Sequence, residues 1–261
     1  MLRLQKRFGL LNTMKIKSKK LKMLSLLVDL LQFICFPILS LQIFLIRRSV
    51  IELPEASGSR LGRVGSGRKI SILIIGDSSA CGVGVENMNE SLSGHLVAVL
   101  KQKFNCKWKI VAESGLTTDR LIELVMKDSS DPFDLAITAI GMNDIVAGKN
   151  AEKWIGEMLL LREVLQKKYS VPTIILSGIP PVRKLTHVPQ PLRFVISFKA
   201  LIFDLYLQLV SKNFNETHYI QNDFLVNDNT MAVDRFHPSS VYYKSWALKI
   251  SETIMKKYNG G

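Results

Sequence analysis

Residues 70–84, ISILIIGDSSACGVG, decide the reading of this chain. Ile70–Ile75 is a short, unbroken apolar run rich in isoleucine, the pattern of a strand buried on both faces of a parallel sheet. Gly76-Asp77-Ser78 ends it. A serine directly after a buried strand and beside a helix start has its hydroxyl at the rim of a cleft, with backbone N–H groups pointing the same way. The plainer reading of the same residues is a helix N-cap, which Ser and Asp favour. Neither glycine-rich nucleotide motif fits. Gly82 and Gly84 come late after the strand, Asn87 stands where a third glycine is needed, and no G-x-x-x-x-G-K-[ST] occurs. Nor does G-x-S-x-G surround Ser78.

Downstream the pattern alternates. Helical stretches are expected near 91–104, 118–127 and 151–169, within 191–214, and at 238–258. Strands are expected at 108–112, 133–140, 171–177 and 217–221. Such alternation builds a parallel sheet covered on both faces, with ligands beyond the carboxyl ends of the strands. The polar residues there are few. Gly115 follows the second strand and allows close backbone approach to a ligand. Gly141-Met142-Asn143-Asp144 follows the third, and Asn143 offers an uncharged NH₂ donor suited to an oxyanion. Asp234-Arg235-Phe236-His237 precedes the last helix. An Asp and a His three apart can meet over one turn, the carboxylate holding one ring nitrogen and leaving the other as a base. Each also has an ordinary structural reading: a loop glycine, a turn or cap, a capping Asp beside an incidental His. Of the four histidines, His95 lies in a helical pattern, His187 in a proline-rich loop, and His218 lacks an acid at this spacing, which leaves His237 as the best base.

Together and in this order, Gly76-Asp77-Ser78, Gly115, Gly141-x-Asn143-Asp144 and Asp234-x-x-His237 resemble the four blocks of the SGNH (GDSL-type) hydrolases, esterase- and lipase-like enzymes. The resemblance covers residues 70–258; Ser79 replaces the leucine usual after the nucleophile. It implies a flavodoxin-like three-layer α/β/α sandwich with a five-stranded parallel sheet. It also implies a catalytic Ser78, His237 and Asp234, and an oxyanion hole from the Ser78 and Gly115 N–H groups and the Asn143 side chain. No metal or organic cofactor is needed by that chemistry. Ser79 is a rival nucleophile, and Cys81 reads as a small apolar filler. Residues 178–194, with four prolines, are placed to line the cleft or to act as a crossover.

Upstream, charge is the main signal. The 261 residues carry a net +13, and residues 1–69 hold fourteen basic against three acidic residues, +11 of that total. The remainder is nearly neutral, which disfavours a nucleic-acid groove in the globular part. Three cysteines exclude a disulfide scaffold. Eight cations precede residues 23–46, MLSLLVDLLQFICFPILSLQIFLI, of which sixteen are Leu, Ile, Val or Phe. As one helix this run is about 36 Å long against a hydrocarbon core of about 30 Å. Its apolar residues favour insertion by about 5–10 kcal/mol, against at most about 3 kcal/mol for Asp29. The expectation is a membrane-anchor helix within residues 1–48, a linker over 49–69, and a hydrolase domain over 70–261. The cation bias places that domain on the extracytoplasmic side. The rival is a helix lying in the interface, because Ser25, Asp29 and Gln32 share one face and Pro37 can break the helix. A cleaved signal peptide fits less well, since the run is long and arginines follow it at once.

The expected function is a membrane-tethered serine hydrolase acting on small-molecule, lipid or glycan esters. A deacetylase of cell-envelope glycans on the same fold and a non-catalytic membrane-associated binding module are the alternatives.

Overall fold

The computed structural model describes residues 19–129, 131–223, 227 and 229–258. The chain opens with helices α1 (Lys19–Ile34) and α2 (Phe36–Ser49). Then come β1 (Leu61–Val64), β2 (Arg68–Gly76), α3 (Leu92–Leu100), β3 (Phe104–Ala112), α4 (Thr118–Lys127), β4 (Leu135–Ala139) and the short α5 (Met142–Val146). The order continues with α6 (Ala151–Tyr169), β5 (Thr173–Ser177), α7 (Leu192–Asn213), β6 (Thr217–Ile220) and α8 (Ser240–Tyr258).

The strands form one sheet in the order β1-β3-β2-β4-β5-β6. Five are parallel, and β1 pairs antiparallel with β3, Leu61 opposite Lys109. The five parallel strands expected are present, and β1 adds an antiparallel sixth that makes the sheet mixed. The extra strand is LGRV, too short and too polar to show alternation. Gly62 makes it possible, because a Cβ there would lie 2.4 Å from the Trp108 ring. By pairing with β3 it covers an edge that would otherwise expose unpaired backbone groups. Residues 49–69 are correspondingly more than a tether. The Ala56 N–H donates to the Cys81 carbonyl (3.1 Å), and Arg60 donates to the Ala112 carbonyl (3.0 Å).

Alternation along β2 separates the two cores. Ile70, Ile72 and Ile74 pack with α3 and α8, while Leu73 and Ile75 face α4, α6 and α7. The result is helices on both sides of a central sheet. Of the described helices α7 alone is long and apolar enough, without a bend, to cross a membrane, but nine of its residues, from Leu192 to Val210, are buried in the domain.

The apolar run expected to form one helix forms two, bent by 77° at a break at Cys35. Pro37 sits in the first turn of α2, where its missing N–H and fixed φ suit a helix start and forbid continuation from α1. Both helices dock on the domain through polar pins. Asp29 pairs with Lys199 (3.3 Å) and accepts from Asn150 Nδ2 (2.7 Å). Lys199 Nζ also donates to Gln32 Oε1 (2.6 Å) and to the Gly148 carbonyl (3.0 Å). Gln42 donates to the Gln190 carbonyl (2.6 Å) and accepts from the Leu192 N–H (3.1 Å). Lys199 is only 2% exposed, so Asp29 supplies the charge that its burial requires.

Candidate functional site

Three strand ends and the turn before α8 converge. Gly76 closes β2 so near β4 that a Cβ would lie 2.1 Å from the Ala139 carbonyl oxygen. The chain then turns, and the Ser78 hydroxyl comes within 3.0 Å of His237 Nε2. On the other side of the ring, Nδ1 lies 2.5 Å from Asp234 Oδ2. The other Asp234 oxygen accepts from the backbone N–H groups of Phe236 (2.9 Å) and His237 (3.0 Å). Arg235 takes a left-handed φ of 62° between them, so the turn is tight enough for one carboxylate to reach all three donors. Burial pushes the Asp234 carboxyl up, but the His237 ring and these N–H bonds outweigh it, and the group sits below its ordinary value. Gly84 completes the approach: a Cβ there would lie 2.2 Å from the Pro238 carbonyl oxygen.

The remaining sequence-derived residues follow the strands on either side of β2, Gly115 after β3 and Asn143 after β4. Gly115 has φ +80° and nothing within 4 Å of where a Cβ would be, so this glycine faces open space. The Ser114 N–H (2.9 Å) and hydroxyl (2.7 Å) beside it donate to Glu55. Burial raises the Glu55 carboxyl, but the Ser114 bonds and Arg60 more than offset it and hold the group down at about 2. Gly141, at φ +130°, lets α5 begin directly after β4, and a side chain there would strike Ile179 and Trp154. Asn143 therefore lies in the first turn of α5, against the turn that carries Asp77 and Ser78. Its amide donates to Asp77 Oδ2 (3.2 Å) and to the Leu116 carbonyl (3.0 Å).

Asp77 and Glu55 are the partners that pattern reading missed. Asp77 looked like a cap, and Glu55 lay in a presumed tether. Asp77 accepts from the Ser79 N–H (3.2 Å) as well as from Asn143. Burial drives its carboxyl up to about 7, with the Ser79 N–H opposing and the Asp144 charge adding a smaller push. The folded state thus keeps a proton that the unfolded chain loses near pH 4. Asp77's contribution to stability is complete below about pH 4 and disappears as pH rises towards 7. Replacing it by Asn, neutral at every pH, is expected to flatten the fall in Tm between pH 5 and 8. An unchanged slope would remove Asp77 as its source.

A second cluster braces the site from beneath. Lys149 Nζ lies 2.6 Å from Asp144, 2.7 Å from Asp119 and 2.6 Å from Glu157. The three carboxylates have metal-ligand spacing, but an ammonium group already sits among them. Burial works against that charge, yet the three acceptors hold Lys149 above its ordinary value. Asp144 also accepts from the Thr118 N–H (3.0 Å) and hydroxyl (2.8 Å), and Trp154 Nε1 donates to the same hydroxyl (2.9 Å). This network pins α5, which carries Asn143, to the start of α4.

The other expectations find simple places. Among the described residues no hydrogen bond joins Ser79 to a histidine. Cys81 is buried, and burial with the neighbouring Glu55 pushes its thiol up to about 12, which leaves it an inert filler. His95 bonds to Ser240 (3.0 Å), and His187 packs edge-on against Phe236. Residues 178–194 cross from β5 to α7, with the Ile179 N–H anchored on Asp204 (2.9 Å). A cavity of about 290 Å³ lies between α2 and α7, bounded by residues such as Phe36, Ile43, Arg47 and Val195. None of Ser78, Asn143 and His237 lines it.

Residues 74–244 match the model of the GDSL-like lipase/acylhydrolase family. No curated protein sequence matches the chain. Among solved structures, the chain is similar to a carbohydrate esterase family 2 enzyme from Corynascus thermopiles (Myceliophthora fergusii), with TM-score 0.59 and 15% identity over 75% of this chain and 68% of that one. It is also similar to a lipolytic G-D-S-L family protein from Veillonella parvula (TM-score 0.56, 16% identity, 73% of this chain and 100% of that one). A third is the psychrotrophic esterase EstA from Pseudoalteromonas (TM-score 0.54, 19% identity, 74% and 100%). At these identities the likeness is one of fold.

Proposed function

This chain belongs to the GDSL-like lipase/acylhydrolase family, hydrolases acting on esters, and on that footing we propose that it cleaves carboxylic esters by acyl transfer through Ser78, attached to a membrane by residues 19–49. The observation that carries the reading is the line Ser78 Oγ–His237 Nε2 (3.0 Å) and His237 Nδ1–Asp234 Oδ2 (2.5 Å).

In this mechanism His237 Nε2 takes the Ser78 proton as the oxygen attacks the ester carbonyl, and Asp234 holds the imidazolium that forms. The ring then returns the proton to the departing alcohol. Water, activated by the same nitrogen, releases the acid from the acyl-enzyme. The tetrahedral oxyanion is received by the N–H groups of Ser78 and Gly115 and by Asn143. The Asn143 amide protons both have protein acceptors, but the 3.2 Å bond to Asp77 is the longer one. Burial weakens the Asp77 charge by pushing its carboxyl up to about 7, so a growing oxyanion competes for that proton on favourable terms. Every step uses this chain's own residues and water.

The likeness to carbohydrate esterases makes removal of acetyl groups from a glycan the second reading of the same site. A fluorophosphonate probe is the direct test. Mass spectrometry of the digested protein is expected to find the adduct on Ser78. An adduct on Ser79 alone, or none on active protein, would sink the assignment.

A further inference from the structure

We infer that α1 and α2 lie flat in one leaflet of an anionic bilayer, with their outward faces in the lipid, and do not cross it. The inference rests on the membrane attachment proposed above and sharpens its geometry.

Both helices are two-sided. On α1 the inward positions Leu21, Ser25 and Val28 are buried, and Asp29 and Gln32 on the same side bond to the domain. The opposite face, Met23, Leu26, Leu27, Leu30, Phe33 and Ile34, follows the same helical spacing and is exposed, Phe33 to 78%. On α2 the buried Leu39 and the bonded Gln42 face inward, while Leu41, Phe44 and Leu45 face out. Eleven large apolar side chains between Met23 and Leu45 are exposed in this way. A continuous apolar face of that kind on a water-soluble surface marks an interaction site.

The occupant follows from charge. Residues 1–48 hold ten basic residues and one acid. That acid, Asp29, is turned inward onto Lys199 and Asn150, so it does not repel an anionic surface. Exposed Lys19 and Lys20 open α1, and exposed Arg47 and Arg48 close α2. The Arg48 guanidinium lies 5.1 Å from the centre of the Phe44 ring, an apolar stem and cationic head arranged as at a headgroup boundary. Apolar faces flanked by cations fit a leaflet of anionic lipid better than a protein partner.

The inward bonds decide between lying and crossing. Asp29 and Gln32 lie inside the apolar run, about two turns or more from its start, and both bond to Lys199, with Asn150 and the Gly148 carbonyl beside them. A segment crossing in this docked state carries those residues, and the domain around them, to the depth of the hydrocarbon. The cost of several polar and charged groups there exceeds what the apolar face returns. With the outward faces down and the domain above, every polar pin stays out of the lipid. The start of α1 and the domain then share one side of the membrane, in place of the opposite sides expected from a span.

The experiment uses the full chain in sealed bacterial cells and in inverted vesicles made from them. Lys19→Cys and Glu252→Cys, both at exposed positions, are made separately in a Cys35→Ser background, leaving Cys81 and Cys106 buried. An impermeant maleimide is expected to label both positions from the same face of a membrane-bound protein. Labelling from opposite faces overturns the in-plane arrangement and leaves membrane attachment standing. Protein found wholly in the soluble fraction overturns both. In a second measurement, Leu26→Glu combined with Phe33→Glu is expected to weaken binding to phosphatidylcholine–phosphatidylglycerol vesicles at least about 10-fold, with p-nitrophenyl acetate hydrolysis unchanged. Undiminished binding by this variant removes the outward face as the contact.

Discussion

Ser78→Ala is expected to abolish p-nitrophenyl acetate hydrolysis, lowering kcat by on the order of 10⁴-fold or more. The size follows from the chemistry. Alanine removes the hydroxyl that, among the described residues, is the one bonded to His237 Nε2 and that the proposed mechanism makes the acyl carrier. What remains is the oxyanion-stabilising N–H groups acting on attack by water, a much smaller acceleration. The fold has little reason to respond, because Ser78 is half-buried and its hydroxyl bonds to His237. Tm within a degree or so of the parent is the control that separates lost chemistry from lost structure. Full activity in Ser78→Ala would transfer the nucleophile's role elsewhere, with Ser79 the first place to look.

Asp234→Asn should come close behind, with kcat down about 10³–10⁴-fold at neutral pH. Asp234 accepts from His237 Nδ1 and from two backbone N–H groups at once. An Asn carbonyl can keep the backbone bonds, but its NH₂ then faces Nδ1. That turns the ring to the wrong tautomer, with Nε2 protonated and unable to take the Ser78 proton. The loss belongs in kcat with KM little changed, since Asp234 is buried and its carboxylate is occupied by the His237 ring and two backbone N–H groups. A merely structural role would instead lower stability and leave the activity of the folded fraction intact.

The legible parts of the fold were those with strong local signals. ISILII reads as a buried strand because nothing but a two-faced interior accepts it, and β2 runs from Arg68 to Gly76 at the sheet's centre. Gly76, Gly115, Gly141 and the Asp234–His237 spacing were visible because each serves a local need: close approach, positive φ or a one-turn reach. What stayed hidden depends on pairing across long sequence distances. Four residues of β1 carry no periodicity and become a strand only because β3 offers an edge. Glu55 looks like linker until Ser114, 59 residues later, is placed against it. The apolar run 23–46 scored as a single helix because composition does not register direction. Pro37 marks the break, yet only the pairing of Asp29 and Gln32 with Lys199, and of Gln42 with Gln190 and Leu192, shows which way each half faces.

The segment between α2 and the site has a mechanical consequence. Helix α2 ends at Ser49, Leu53 already packs against the core, and Glu55 grips the loop that holds Gly115. Only three or four residues lie between. A domain so mounted has no leash: it neither swings nor extends, and its working distance is set by architecture instead of by chain entropy. On the proposed reading, an ester must be brought to the height at which Ser78 is carried. Lengthening residues 50–52 with glycine and serine does not by itself release the domain, because Asp29, Gln32 and Gln42 still hold both helices to it.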